Sequence, residues 1–117
     1  ASIVNIGAVV GFRGFPGDAA YASSKAGLAG LTRALSIEFA ERGIRVNLVI
    51  PGLVITDMTS GLSEKALNLM RRMIPLGRLG EAAEIADAVH LVAAATYMTG
   101  AFIAVDGGLM STFGLPG

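Results

Sequence analysis

The sequence predicts an α/β fold in which parallel strands form one sheet and helices cover both of its faces. Three short apolar segments, about residues 2–6, 44–50 and 101–105, lack a polar face, as is typical of strands buried on both sides. Longer segments with helical periodicity separate these strands, which favours parallel pairing through right-handed crossovers. Three such strands correspond to half of a doubly wound parallel sheet.

Composition limits the chain to one domain and excludes several classes of function. Of the 117 residues, 53% are hydrophobic, which is enough for a core. Nine basic and nine acidic side chains cancel, so nothing indicates binding to nucleic acid or to a membrane surface. There is no cysteine and one histidine, His90, in an apolar run, so we expect no disulfide and no metal site. Pro51 interrupts the most apolar stretch, and we expect a soluble, cytoplasmic protein.

The longest predicted helix follows the first strand. A glycine-rich loop occupies residues 7–17. Asp18 is a suitable N-cap for a helix over about residues 19–42, and Gly43 supplies a left-handed end. Large apolar side chains at helical spacing are predicted to face the sheet: Leu28, Leu31, Leu35 and Phe39.

A second face of this helix consists of small residues: Ala26, Gly27, Ala29, Gly30 and Ala34. Each interior glycine costs about 1 kcal/mol relative to alanine, so two of them indicate that another backbone packs closely here. An internal helix or a second subunit would satisfy this pattern, and we favour the second subunit.

The remaining elements place three loops at one edge of the sheet. Pro51-Gly52 ends the second strand, and Ser63 caps a Leu- and Met-rich helix over residues 64–73, which is either core or a substrate lid. A helix over about residues 81–95 precedes the third strand, which Asp106-Gly107-Gly108 follows. Ligands of doubly wound sheets bind beyond the carboxyl ends of the strands. We therefore expect these loops and the start of the long helix to form one cleft.

Tyr21 and Lys25 are the candidate catalytic pair. Residues four apart lie on one face of a helix, so the phenol and the ammonium are predicted to be neighbours. A nearby positive charge favours the phenolate, which makes the phenol a readier proton donor near neutral pH. Tyrosine and lysine at this spacing also occur by chance. The catalytic interpretation of the pair therefore depends on the other motifs in the sequence.

That context is a series of short motifs in a fixed order: Ile3-Val4-Asn5-Ile6, Tyr21 to Lys25 with Ala26-Gly27-Leu28, Arg45-Val46-Asn47 with Pro51-Gly52, Thr56-Asp57-Met58-Thr59, Ile74-Pro75-Leu76-Gly77-Arg78 and Val105-Asp106-Gly107-Gly108. Together they resemble the C-terminal half of the classical short-chain dehydrogenases/reductases, which have a Rossmann fold. The closest resemblance is to the branch that reduces 3-oxoacyl groups on acyl carrier protein in fatty-acid synthesis.

The resemblance implies a role for each matching residue. Tyr21 would be the general acid/base, and Lys25 would activate it and hold the ribose of NADP or NAD. The segment lining the nicotinamide would comprise Pro51, Gly52, Val54 and Thr56, with Val54 contacting the carboxamide through its backbone. Arg42 matches a position that helps to dock an acidic carrier protein. A homo-oligomer, either a dimer or a tetramer, is expected.

Two departures from the family pattern qualify this hypothesis. Ala8 occupies the position of the catalytic serine, and loss of one such donor commonly lowers the rate by about 10²–10³. The phosphate-binding glycine loop, the residue that selects NAD or NADP and the active-site asparagine belong to an N-terminal half that precedes Ala1. We therefore expect residues 1–117 alone to be inactive, to be insoluble or fail to bind NADPH, and to expose the edge of the first strand.

Three readings of the function remain open from the sequence. The first is a reductase of 3-oxoacyl thioesters. The second is a non-catalytic subunit that keeps the fold for assembly or cofactor binding, which Ala8 favours and the intact Tyr21 and Lys25 oppose. The third is a dehydrogenase acting on a steroid, sugar or small alcohol, because residues 56–76 indicate only that the substrate is partly apolar.

Overall fold

The computed structural model describes residues 1–9, 12 and 19–112, without the side chain of residue 58. The strands are β1 (Ser2–Ile6), β2 (Arg45–Pro51) and β3 (Phe102–Val105). The helices are α1 (Ala19–Phe39), α2 (Asp57–Ser60), α3 (Glu64–Met73) and α4 (Ala82–Ala94), with 3₁₀ turns at Ala40–Arg42 and Leu109–Ser111. The predicted strands and helices are confirmed within one or two residues, with a 3₁₀ turn completing the long helix, whereas α2 was not predicted.

The three strands form one parallel sheet in the order β1-β2-β3. In β1, Ser2 pairs with Arg45 and Ile6 with Val49; in β3, Val105 pairs with Pro51. Proline is tolerated here because it ends β2, and the next amide, of Gly52, donates to the Val105 carbonyl at 3.0 Å. Within the described residues β1 has a neighbour on one side only.

Helices α1 and α4 cover opposite faces of the sheet. The Asn5 side chain donates to the Thr32 hydroxyl of α1 at 3.0 Å. On the other face, the Arg45 guanidinium donates to carbonyl oxygens at the end of α4 and just beyond it, including those of Val92 at 3.2 Å and Ala95 at 2.8 Å. Because both faces are covered, every residue from Val46 to Ile50 is buried.

The sheet-facing stripe of α1 differs from the predicted one. Leu31 was predicted to face the sheet but is 47% exposed, whereas Thr32 is fully buried and Ser36 is buried. The physical reason is close approach: a short hydroxyl side chain brings the helix nearer to the sheet than a leucine would. Both hydroxyls have partners, since Thr32 accepts from Asn5 and Ser36 donates to the Arg33 carbonyl at 2.8 Å.

The small-residue face of α1 is open. A Cβ added to Gly27 or Gly30 would meet no atom within 4 Å, so no described element of this chain packs there. This excludes a described internal helix as the partner of that face and leaves the second subunit as a prediction. Ala29 is the exception, because it packs against the core.

The ends of the helices follow from local chemistry. Gly43 has φ 71°, the left-handed conformation predicted for the end of the long helix. Ser63 accepts from the Ala66 amide and caps α3, as predicted. Asp18, the predicted cap of α1, lies outside the described residues, as does most of the glycine-rich loop. His90 is an exposed residue of α4.

Candidate active site

The three strand ends converge on one apolar cluster. Its buried members include Val9 from the segment after β1, Ile50 near the end of β2 and Leu109 from the segment after β3. Leu53 and Met73 pack against the same cluster, so the loop after β2 and the end of α3 are anchored there too. The three loops therefore converge, as predicted, but on a buried apolar cluster. The predicted single cleft that also includes the start of the long helix is not seen within the described residues, since the cleft described below is not lined by residues of α1.

Tyr21 and Lys25 lie on the stripe of α1 that faces the sheet. Positions 21, 25, 28 and 32 share one helix face, and on this face Leu28 packs against the core cluster while Thr32 is buried. The side of α1 that faces the sheet therefore continues to the first turns of the helix, which lie at the carboxyl edge of the sheet. Tyr21 and Lys25 are in these first turns. The Lys25 Nζ lies 5.6 Å from the centroid of the Tyr21 ring. The two groups are therefore neighbours, and Tyr21 is 51% exposed while Lys25 is half-buried.

The loop after β2 pairs with Gly80 through the residues on either side of Val54. Val54 forms a parallel bridge with Gly80, in which the Gly80 amide donates to the Leu53 carbonyl and the Ile55 amide to the Gly80 carbonyl, both at 2.9 Å. In this pattern the amide and carbonyl of Val54 itself point away from Gly80. That is the orientation needed by a residue that contacts a carboxamide through its backbone.

Gly52 and Thr56 fix the two ends of this loop. A Cβ on Gly52 would lie 2.7 Å from the Cα of Asp106, so only glycine lets the two strand ends meet. The Thr56 amide donates to the Thr59 hydroxyl at 2.9 Å, and that hydroxyl donates back to the Thr56 carbonyl at 2.8 Å, which anchors Thr56 at the start of α2. Pro51 is half-buried as the last residue of β2.

Ala8 is half-buried two residues beyond β1. Gly7 continues the pairing, because its amide donates to the Val49 carbonyl at 2.8 Å. Ala8 therefore occupies the carboxyl edge of the sheet with a methyl group, which offers no hydrogen bond to a substrate oxygen.

A cleft of about 500 Å³ opens beside the loop, between the end of β3 and the start of α4. Its lining includes Leu53, Ile85 and Val105 but neither Tyr21 nor Lys25, so this cleft is separate from the candidate pair. At its rim the Arg78 guanidinium binds both carboxylate oxygens of Glu84, at 2.8 and 2.9 Å. Hydrogen bonds from Arg78 and then from the backbone of Glu81 lower the pKa of Glu84 to about 2.

Comparison with known proteins agrees with this geometry. The family model described as enoyl-(acyl carrier protein) reductase matches residues 1–110. The chain belongs to the short-chain dehydrogenase/reductase family. It is 56% identical over 108 residues to carbonyl reductase family member 4 of Danio rerio, covering 92% of this chain and 44% of the relative. It is 50% identical over 108 residues to human 3-oxoacyl-acyl-carrier-protein reductase, with the same coverage of 92% and 44%.

A bacterial relative shows a similar identity and coverage. The 3-oxoacyl-acyl-carrier-protein reductase FabG of Chlamydia muridarum is 46% identical over 110 residues, which is 92% of this chain and 44% of that protein. The chain thus spans less than half the length of these short-chain dehydrogenase/reductase relatives. The family as a whole consists of NAD(P)-dependent oxidoreductases.

Two kinds of feature are absent from the described residues. No helix among them is long and apolar enough to cross a bilayer. No group of three or more histidine, cysteine or acidic side chains among them is placed to bind a metal ion.

Sequence reasoning missed two features of the site region. The carboxylate of Asp106 accepts hydrogen bonds from the amides of Gly108 and Met110, at 3.0 and 2.8 Å, and Arg78 pairs with Glu84. The signal for the first was an aspartate followed by two glycines after a strand, a common turn pattern. The signal for the second was weak, since the two charged residues lie six positions apart in sequence.

Proposed function

We propose that this chain supplies the catalytic C-terminal half of an NAD(P)-dependent reductase that converts the ketone of a 3-oxoacyl thioester into a hydroxyl group. The observation that carries the proposal is the pairing of Tyr21 and Lys25 on the stripe of α1 that reaches the carboxyl edge of the sheet, with the Lys25 Nζ 5.6 Å from the centroid of the Tyr21 ring. Relatives named 3-oxoacyl-acyl-carrier-protein reductase at 46–50% identity support the substrate class.

The reaction adds a hydride to the ketone carbon and a proton to the ketone oxygen. The nicotinamide cofactor supplies the hydride when it is bound. Tyr21 donates its phenolic proton to the oxygen, and the positive charge of Lys25 stabilises the phenolate that remains. The half-exposed Tyr21 is accessible to a substrate that approaches the edge of the sheet.

The residues proposed to hold the cofactor have suitable chemistry. The hydroxyl of Tyr21 and the ammonium of Lys25 suit ribose hydroxyls, and the backbone groups of Val54 that point away from Gly80 suit a carboxamide. Pro51, Gly52 and Thr56 fix the shape of the loop around Val54. The choice between NADP and NAD is assigned to the N-terminal half of the protein, which would also bind the phosphates.

The substrate side of the site is proposed to lie between Thr56 and Leu76. No residue of α3 is buried, and Leu69 on it is half exposed. A helix with an uncovered apolar side chain is better suited to closing over an acyl chain than to filling a core.

Two surfaces are proposed for macromolecular partners. The exposed Arg42, stacked 5.9 Å from the centre of the Phe39 ring, would contact an acidic acyl carrier protein. The open face of α1 around Gly27 and Gly30 would pack against a second copy of the chain in a dimer or tetramer.

A non-catalytic subunit is the second candidate, and Ala8 is the observation that favours it. The Ala8 methyl cannot donate the hydrogen bond that a serine would give to the ketone oxygen. The remaining donor, Tyr21, would then act alone, at a rate lower by about 10²–10³.

The test measures NADPH oxidation by the full-length protein with an acetoacetyl thioester, with and without Ala8→Ser. We expect slow turnover that Ala8→Ser raises by about 10²–10³, because the serine restores one donor to the ketone oxygen. Absence of turnover in both proteins would favour the non-catalytic subunit. Turnover of a steroid, sugar or small alcohol in preference to the thioester would support the third reading.

A further inference from the structure

The turn formed by Asp106, Gly107 and Gly108, here called the Asp106 turn, is held by its own carboxylate. One oxygen accepts from the Gly108 amide at 3.0 Å and the other from the Met110 amide at 2.8 Å. The Asp106 carbonyl accepts from the Leu109 amide at 3.1 Å. Three hydrogen bonds therefore close the turn, and two of them end on a charged group, which strengthens them.

On one side the turn meets the loop that contains Val54. A Cβ on Gly52 would lie 2.7 Å from the Asp106 Cα, 2.8 Å from its Cβ and 3.2 Å from its carbonyl oxygen. The Gly52 amide also donates to the Val105 carbonyl at 3.0 Å. The start of the proposed cofactor loop therefore rests directly on the backbone of Asp106.

On the other side the turn meets the segment that leaves α3. The Leu76 amide donates to the Gly107 carbonyl at 3.1 Å. A Cβ on Gly107 would lie 2.7 Å from Ile74 Cγ2, and one on Gly108 would lie 3.0 Å from Pro75 Cγ. Both glycines have positive φ, 63° and 93°, so the turn combines a left-handed backbone with close packing, and any other residue type would be strained there.

We propose that Asp106 is a positioning residue that clamps the cofactor loop and the exit of the substrate-side helix α3 to one rigid turn. The proposal rests on the function proposed above, because it gives those two segments their roles. Since one turn contacts both, a ligand that orders the loop at Gly52 also orders the segment at Leu76. Binding of the cofactor is thereby coupled to the position of the helix that covers the substrate.

The carboxylate is required because it accepts at two oxygens. Asparagine has the same shape but places an NH₂ group where one oxygen was, and that group cannot accept from an amide. Asp106→Asn therefore removes one of the two hydrogen bonds, and Asp106→Ala removes both.

The test compares backbone hydrogen exchange in the full-length protein carrying Asp106→Ala, Asp106→Asn or the control Gly43→Ala. Gly43 has φ 71° with no atom within 4 Å of an added Cβ, so it strains the backbone at the opposite end of the sheet. We expect Asp106→Ala to accelerate exchange at both the Gly52 and Leu76 amides by about 10–100-fold, since each lost charged hydrogen bond is substantial. Asp106→Asn should have a smaller effect at both amides, and Gly43→Ala should have none at either.

The proposal that Asp106 clamps both segments would be contradicted if Asp106→Ala accelerated exchange only between residues 107 and 112. It would also be contradicted by equal acceleration throughout the chain, which general destabilisation would cause. A second comparison adds NADPH. In the wild-type protein NADPH should slow exchange at Gly52 and at Leu76, whereas in Asp106→Ala it should slow exchange at Gly52 alone. Equal slowing at both amides in Asp106→Ala would contradict the coupling. If NADPH slows neither amide in the wild type, the proposed function fails, and the clamp is judged by the first comparison, which needs no cofactor.

Discussion

The start of α1 and the ends of the strands are built in opposite ways. At the start of α1, Tyr21 is half exposed and its neighbour Lys25 contacts the ring from 5.6 Å. At the strand ends, Gly52, Gly107 and Gly108 lie so close to other atoms that a Cβ on any of them would approach within 2.7 to 3.0 Å. The start of α1 is exposed, and the two side chains are brought together by their spacing on the helix. The strand ends are tightly packed, and their positions are fixed by contacts between loops.

This difference suits the two roles proposed above. The start of α1 would supply the reactive groups, and the strand ends would hold the cofactor loop in position. A proton donor must be accessible to its substrate, so the proposed role of the pair requires that Tyr21 stay exposed. The loop around Val54 must instead keep one shape, and tight glycine contacts with Asp106 provide it. Substitutions in the first region should therefore reduce catalysis without unfolding the protein, and those in the second should reduce stability first.

Replacement of Lys25 should have the largest effect on activity. Lys25→Met removes the charge that stabilises the Tyr21 phenolate, so we expect turnover of the full-length protein to fall by about 10²–10⁴. The free energy of unfolding should change by less than about 0.5 kcal/mol, as is usual for substitutions outside the core. Steady-state kinetics and urea unfolding measure the two quantities. A large loss of stability with unchanged turnover would reverse the assignment of the two regions.

Replacement of Gly52 should act on stability. Gly52→Ala places a methyl group 2.7 Å from the Asp106 Cα, so the strand ends must separate, at a cost of about 1–3 kcal/mol. Urea unfolding measures this change, and NADPH affinity should fall with it because the cofactor loop is displaced.

Gly30→Ala is the matched control for Gly52→Ala. Its added methyl group meets no atom within 4 Å, so in a helix interior it should stabilise the monomer by about 0.4–1 kcal/mol. If the open face of α1 is a subunit interface, the same substitution should also weaken assembly, which analytical ultracentrifugation would detect. Equal destabilisation by both substitutions would show that contact with Asp106 is not the cause.

The smallest expected effect concerns Glu84 at the rim of the cleft. Its pKa is lowered from 4.5 to about 2 by Arg78 and the Glu81 backbone. A carboxylate with a lowered pKa in the folded state stabilises the protein above pH 4.5, and this contribution is lost as the pH falls towards 2. Glu84→Gln should therefore flatten the decline in thermal midpoint over that range. Glu64→Gln, at an exposed carboxylate 3.6 Å from Arg71, should leave the decline nearly unchanged; an unchanged decline in Glu84→Gln would contradict the role of the pair.

Features that depend on local pattern were predictable from the sequence. The strands were found as continuous apolar runs, and the end of the long helix at Gly43 follows from local glycine chemistry. Burial on both sides holds only for β2, since no residue of β1 or β3 is buried. The spacing of Tyr21 and Lys25 is a property of any helix, so the pair was found without coordinates. The roles of Ala8, Pro51, Val54 and Thr56 came instead from resemblance to a family, and they stay predictions.

Features that depend on contacts between distant segments were not predictable. Thr32 and Ser36 replace Leu31 on the buried face of α1 because the helix approaches the sheet closely, and hydrophobic periodicity does not report that distance. The Asp106 turn read as an ordinary strand end, because its contacts with Gly52 and Ile74 join segments that are far apart in sequence.

The central claim is that the phenol of Tyr21 delivers the proton to the ketone oxygen. The most direct measurement is the rate of NADPH-dependent reduction of an acetoacetyl thioester by the full-length protein carrying Ala8→Ser, with and without Tyr21→Phe. We predict that Tyr21→Phe lowers the turnover number by about 10²–10⁴ while NADPH affinity and unfolding free energy stay close to those of the parent. An unchanged turnover number in the Tyr21→Phe variant would contradict the account.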